Sequence, residues 1–392
     1  MTEVDANKTL RVAVVGAGVF GRNHLRVYRE LERAGYKVEL AAVIDPNEAA
    51  RKRAEAEFGV RGFATIAECI AASGSYPTRP HRTRTDGAPR HPGKIDAASV
   101  CVPTVDHAAT ARELMASGVD VLIEKPLAAS LNEVDAIAAV ARERGRMVQV
   151  GHLERFNPAV RAVRGMLNRP MFFEVHRLSV FTPRALDVDV VLDLMIHDLD
   201  LVLSLVGEPV REVRAVGLPV LSPKVDIANV RLEFANGCVA NFTASRVSTE
   251  RVRKMRFFQP HQYLSLDFAR QDLLVIDVSA AAKGMAMMSR EQMQQIIAAS
   301  SQHPTRDDKA LTDGAPERSM AEAHPTPGME LKKMPVEQGE PLRLEIESFL
   351  NAVRTRTAPE VTLADGRAAL GLALEINAAI AEHARKLPGL SC

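Results

Sequence analysis

Four cysteines, at positions 69, 101, 238 and 392, are all that the 392 residues contain, and no two form a Cys-x-x-Cys pair. That scatter excludes a disulfide framework and offers no zinc site. The four read as small buried apolar groups rather than nucleophiles. An excess of one charge is also missing: 50 Lys and Arg residues face 49 Asp and Glu, for a net +1. Electrostatics therefore give no reason to expect nucleic acid or a membrane surface as a partner. No apolar run is long enough to span a bilayer. The opening "MTEVDANKTL" lacks both the basic start and the apolar core of a secretory leader. The expectation is a reduced, cytoplasmic protein. What is present, 46% hydrophobic and 25% charged residues, is a globular composition with length for two domains.

The first ordered stretch is "LRVAVVGAGVFGRNHLRVYRELERAGYKVELAAVIDPN". An aliphatic strand runs into Gly16, Gly18 and Gly21, spaced G-x-G-x-x-G, and a helix and second strand follow. Gly16 permits a tight turn, Gly18 lets a pyrophosphate approach the backbone, and Gly21 allows close helix packing. Val19 and Phe20 open the helix, whose free N–H groups and partial positive charge suit phosphate. Asp45 ends the second strand. It would accept hydrogen bonds from ribose hydroxyls and repel a 2′-phosphate, favouring NAD over NADP. Arg51 and Lys52 lie nearby and would suit NADP instead.

Strand and helix keep alternating to about residue 150, which predicts a doubly wound parallel sheet. Such a sheet binds ligands at the carboxyl ends of its strands. Pro103–Thr104, Glu124–Lys125–Pro126 and Gly151–His152 all stand at such ends. One interruption, "YPTRPHRTRTDGAPRHPGK" (76–94), is basic and almost free of aliphatics, and reads as a solvated insertion.

A second cluster lies in "VVLDLMIHDLDLVLSL" (190–205). At helical spacing Asp193, His197 and Asp200 fall along one side of an otherwise apolar helix. Buried charge is costly unless paired or used, so the stripe should face a cleft or a partner. Asp198 is off the stripe and reads as structural. A metal site needs three or more ligands, and none is expected.

Together "GAGVFGRNH", "CVPTVDH", "EKPLA", "GHLERFNP" and "DLMIHDLD" resemble the Gfo/Idh/MocA family of sugar and cyclitol oxidoreductases. The resemblance covers nearly the whole chain outside 76–94 and about 280–335. It implies an N-terminal Rossmann domain and a C-terminal α+β domain with a large open antiparallel sheet. The expected boundaries are 8–150 and 151–392. The resemblance also implies catalysis by Lys125, Asp193 and His197. The family often has glycine where this chain has Met195, a side chain expected to reshape the site. His24 and His107 match family positions near the nucleotide, or are ordinary surface or capping residues. Arg155 and Asn157 lie where the substrate domain begins. On this reading His197 is the base, Lys125 stabilises the reacting oxygen, and Asp193 orients the imidazole or binds a neighbouring hydroxyl. Pro126 follows Lys125, with a cis peptide in prospect.

The 151–207 segment looks most like members that oxidise the 3-hydroxyl of UDP-N-acetylglucosamine, a step toward lipid A in bacteria. A UDP-sugar needs cations, and Arg155, Arg177, Arg184 and Arg246 are candidates or else solvated arginines. An inositol or free-sugar dehydrogenase is the alternative, and a regulator that binds NAD and sugar without turnover is a third reading. Beyond residue 170 several alternating runs read as strands, with a hairpin at Asn236–Gly237. Their exposed face suggests a homodimer or homotetramer. Residues 280–335 read as a weakly ordered insertion, and two amphipathic helices close the chain.

Overall fold

A computed structural model describes residues 8–74, 94–181, 188–278 and 329–386. Most of both expected insertions, and Arg184, lie outside those residues. The N-terminal sheet is built from β1 (Leu10–Val15), β2 (Val38–Ile44), β3 (Arg61–Phe63), β4 (Ala97–Val100), β5 (Asp120–Glu124) and β6 (Val148–Gly151). All neighbours are parallel, in the order β3-β2-β1-β4-β5-β6. This doubly wound order puts the switch point between β1 and β4. Helices α1 (Val19–Arg33), α2 (Glu48–Phe58), α3 (Ile66–Gly74), α4 (Thr104–Ala116) and α5 (Leu131–Arg144) connect the strands. Ser130 starts α5 by accepting from the Glu133 amide, and Gly145 ends it in the left-handed region.

A short 3-10 turn (Leu153–Phe156) and α6 (Pro158–Arg164) lead into the second sheet. Its strands are β7 (Phe172–Leu178), β8 (Val210–Leu218), β9 (Ile227–Phe234), β10 (Val239–Ser245), β11 (Val252–Gln259), β12 (Gln262–Asp267), β13 (Asp272–Val278) and β14 (Met329–Met334). They lie in the order β14-β13-β12-β11-β7-β10-β9-β8. The sheet is antiparallel except between β7 and β10, which run parallel. Asn236–Gly237 turns β9 into β10, with Gly237 at φ +82 and the Asn236 side chain accepting from the Cys238 amide. Helix α7 (Ile196–Val206) lies against the sheet's inner face, where Phe173, Val175, Phe242, Met255 and Phe257 share a core with Leu199 and Val202.

Two expectations need correction. The insertion ends earlier than residue 335, because β14 pairs with β13 from Met329 to Met334. Its Lys332 and Lys333 are the charges that edge strands carry against further pairing, and they hide the strand's signal. The domain boundary is not a single cut either. Helix α8 (Pro341–Thr355) returns to the first domain, where Ile346, Phe349, Leu350 and Val353 pack with Val12, Leu25 and Tyr28. Helix α9 (Leu363–Ala384) touches both cores, with Leu370 in one and Ala373 and Ile376 in the other. Truncating a fully buried Phe349 to Ala should cost about 3–5 kcal/mol. Among the described residues no helix is long and apolar enough to cross a membrane.

Candidate active site

The glycine turn shows why each glycine is there. Gly16 sits at φ +95, and a Cβ on it would lie 2.5 Å from the Cys101 carbonyl oxygen. A Cβ on Gly21 would fall 1.8 Å from the Gly16 oxygen. At Gly18 a Cβ would meet nothing within 4 Å, so the approach to this backbone is open. Helix α1 begins there with no side-chain cap, leaving its first N–H groups for an anion. Val19 and Phe20 are exposed beside it. Asp45 closes the far side: its carboxylate accepts from the Ala17 amide at 2.6 Å and the Asn47 amide at 2.8 Å. Arg51 donates to the Asp45 carbonyl at 2.7 Å and Lys52 pairs with Glu48. Both cations thus have partners on or beside α2. At the end of β4, Pro103 caps α4 and Thr104 opens it. These residues fit a dinucleotide.

His24 and His107 are neither surface residues nor caps. His24 is fully buried between the Ser99 hydroxyl (3.0 Å) and the Glu124 carboxylate (2.8 Å). Burial would raise the Glu124 carboxyl, but the His24 hydrogen bond and the charges of His24 and Lys125 hold it below its usual range. Glu124, expected at the cofactor, is therefore engaged by His24. His107 lies between the Pro126 carbonyl (2.8 Å) and the Val102 carbonyl (3.0 Å), bracing the turn after Lys125. The Lys125–Pro126 peptide is cis.

Lys125 leaves the end of β5 and reaches the second domain. Its Nζ donates to the Asp193 backbone carbonyl at 2.6 Å and stands 3.6 Å from the Asp193 carboxylate. Burial lowers the Lys125 pKa from its ordinary value, against the pull of Asp193 and Glu124. Asp193 lies in a π-helical turn, Val191–Met195, that precedes α7. Asp189 starts this turn by accepting from the Val191 and Leu192 amides at 2.9 and 3.0 Å. A π turn is wider than an α turn and is often found at functional sites. It breaks the expected file. Asp193 pairs with Lys125 rather than orienting His197, and Asp200 faces the interior.

His197 has a buried Nδ1 with no hydrogen-bond partner among the described residues. Burial, and then the charges of Lys125 and Arg177, push its pKa well below the ordinary value, so the imidazole is neutral. A second imidazole escaped the sequence reading. His152 is 1% exposed, neither ring nitrogen has a partner among the described residues, and the charges of Asp200, Arg155 and Lys125 reach it. Only its place at the end of β6 signalled it. Met195, where a side chain was expected to reshape the site, is fully buried in the second domain's core.

The expected substrate arginines have other work. Arg155 holds Asp200 through two hydrogen bonds, at 2.6 and 2.8 Å, and is buried. Arg177 holds Asp198 at 2.7 and 2.8 Å and Glu154 at 3.0 Å. Arg246 holds Asp226 at 2.8 Å. Asn157 starts α6 and donates to Glu154 and to the Phe268 carbonyl. Each buried guanidinium needs a carboxylate to offset its desolvation, so these arginines knit the second domain instead of waiting for a phosphate. Asp198 and Asp200 are their partners.

Sequence and structure comparisons identify relatives of this chain. A family model for the NAD-binding Rossmann fold of the GFO_IDH_MocA oxidoreductase family matches residues 10–152, and one for the GFO/IDH/MocA C-terminal domain matches 159–259. UDP-N-acetylglucosamine 3-dehydrogenase of Acidithiobacillus ferrooxidans is 36% identical over 265 residues, 67% of this chain and 76% of that protein. Inositol 2-dehydrogenase of Rhizobium meliloti is 28% identical over 256 residues, 62% of this chain and 70% of that protein. A solved structure of the Acidithiobacillus ferrooxidans enzyme has a TM-score of 0.74 at 31% identity, covering 95% of this chain and 97% of that one. The chain therefore belongs to the Gfo/Idh/MocA family and is an NAD-binding oxidoreductase.

Proposed function

We propose that this protein oxidises a secondary hydroxyl of a sugar, with C3 of UDP-N-acetylglucosamine or a related nucleotide sugar as the favoured substrate. The reading is supported by Lys125, at the carboxyl end of the Rossmann sheet, standing 3.6 Å from the Asp193 carboxylate while its charge reaches His197. His197, held neutral, takes the proton of the reacting hydroxyl. Lys125 donates a hydrogen bond to the same oxygen and stabilises its developing charge. Asp193 keeps the ammonium charged and in place. The NAD that the first domain binds supplies the hydride acceptor. The nucleotide sugar is favoured because a relative of that activity is 36% identical over two-thirds of the chain.

An inositol or free sugar is the second reading. It is favoured by the carboxylates that occupy Arg155, Arg177 and Arg246. NADH formation measured with UDP-N-acetylglucosamine, myo-inositol and free hexoses separates the two. Sugar and NAD binding without NADH formation would make the protein a regulator instead.

The second sheet also supports a homo-oligomer. Val239, Phe172, Phe258, Tyr263, Ile276 and Leu331 are cross-strand neighbours in one row, and neighbouring rings lie 5.1–5.9 Å apart. Phe258 and Leu331 are exposed, so the row forms an apolar band across the outer face. A homodimer or homotetramer would cover it. Among the described residues Cys101 and Cys238 form no disulfide, which suits the cytoplasm.

A further inference from the structure

The loss of three expected cations raises the question of what would meet a charged substrate. Arg253 lies on β11 directly across from Arg177 on β7. Paired residues on neighbouring strands share a face, and on β11 that is the inner face, where Met255 and Phe257 are buried. The two arginines stand side by side, yet only one is engaged. Arg177 binds both nearby carboxylates, Asp198 and Glu154. The Arg253 guanidinium makes no hydrogen bond or ion pair among the described residues, although its backbone carbonyl accepts from the Phe268 amide at 3.0 Å.

Its surroundings point toward the reacting centre. The charge of Arg253 reaches His197. Burial, and then the neighbouring Arg177, lower the Arg253 pKa, with Glu154 and Asp198 opposing from a distance. Arg251, two residues earlier, is exposed and close enough to add a second positive charge. The pair thus runs from solvent inward to His197. A half-buried guanidinium keeps five N–H donors in a fixed fork, and those donors match a phosphate. Leaving them unmade is costly.

We propose that Arg253 is the anion-binding residue of the substrate cleft, taking a phosphate of a nucleoside-diphosphate sugar, with Arg251 at the mouth. This rests on the sugar-dehydrogenase reading and extends it. A diphosphate held at Arg251 and Arg253 places the linked sugar toward His197 and Lys125. Inositols and free sugars carry no anionic group for this fork to pair with.

The test uses the full-length protein, with Arg253→Met and Arg253→Lys as variants. Calorimetric titration with UDP and steady-state kinetics with UDP-N-acetylglucosamine supply the readouts. Arg253→Met should weaken UDP and raise the sugar-nucleotide KM by about 10- to 100-fold, the usual worth of charge-assisted hydrogen bonds. Its kcat, its KM for NAD and its melting temperature should change little. Arg253→Lys keeps the charge without the fork, so it should fall between wild type and Arg253→Met. Equal UDP affinity in wild type and Arg253→Met would overturn the proposal, as would no UDP binding by wild type. UDP binding that depends on Arg253 without NADH formation would sustain the anion site and refute UDP-N-acetylglucosamine as the substrate.

Discussion

Lys125 and Asp193 join the two domains at one point: the Lys125 ammonium is 2.6 Å from the Asp193 carbonyl and 3.6 Å from its carboxylate. One residue ends a strand of the nucleotide-binding sheet, and the other lies in the π turn ahead of α7. The cation is thus fixed where cofactor and substrate domains face each other. Lys125→Met should reduce kcat by about 10²–10³, the scale for losing one donor to a developing oxyanion. NAD affinity should persist, because the glycine turn and Asp45 are untouched. Turnover close to wild type would remove Lys125 from the reacting oxygen.

His197→Asn should lower turnover by roughly 10²–10⁴, the worth of a positioned general base. The melting temperature should hold or rise, since the wild-type ring already buries an Nδ1 with no partner among the described residues. A structural role predicts the reverse pattern, with a lower melting temperature and normal turnover per folded molecule.

The pH profile follows from the same two groups. His197 works as the neutral imidazole, and its pKa lies well below the ordinary 6.5. Activity should therefore persist below pH 6.5 and fall only as the ring gains a proton. Lys125 works as the ammonium, and burial lowers it from 10.5. The alkaline limb should then lie below pH 10.5 and vanish in Lys125→Met. A kcat/KM that declines from pH 7 downward would contradict a depressed His197.

Asp45 should set cofactor choice. Wild-type protein should use NAD at least about tenfold better than NADP, and Asp45→Ala should narrow the gap by relieving repulsion of the 2′-phosphate. Initial rates with both cofactors decide this. A preference for NADP would show that Arg51 and Lys52 leave their present partners.

Arg155 and Asp200 offer a contrast with the reacting residues. Removing one member of a buried, doubly hydrogen-bonded pair strands the other charge, at about 3–5 kcal/mol. Arg155→Met should therefore lower denaturant stability, and adding Asp200→Leu should restore much of it. Catalysis per folded molecule should survive in both. A selective rise in substrate KM at unchanged stability would return Arg155 to the binding site.

Much of the nucleotide-binding half was legible because its signals are local. Gly18, Gly21 and Asp45 act through backbone conformation or a strand end set by near neighbours in the chain, and Gly16 adds a close approach to the Cys101 carbonyl. Lys125 was legible through the Glu-Lys-Pro turn. The helix after residue 190 was legible as apolar, but its phase was not. Asp189 and the π turn rotate Asp193 toward a lysine 68 residues earlier, and an α-helical count of positions misses that rotation.

The arginines mark the limit. Arg155, Arg177, Arg246 and Arg253 look alike in the sequence, and each could meet a phosphate. Packing separates them, because burial demands a counter-charge and the fold supplies Asp200, Asp198 with Glu154, and Asp226 to the first three. Arg253 receives none among the described residues. The sequence by itself determined the periodicities, the glycine turn and the order of the motifs, since those depend on neighbours along the chain. Only the tertiary structure decided which charges were neutralised and which faced the cleft. The energy of a charge depends on what lies within a few ångströms of it, and for these residues those neighbours come from distant parts of the chain.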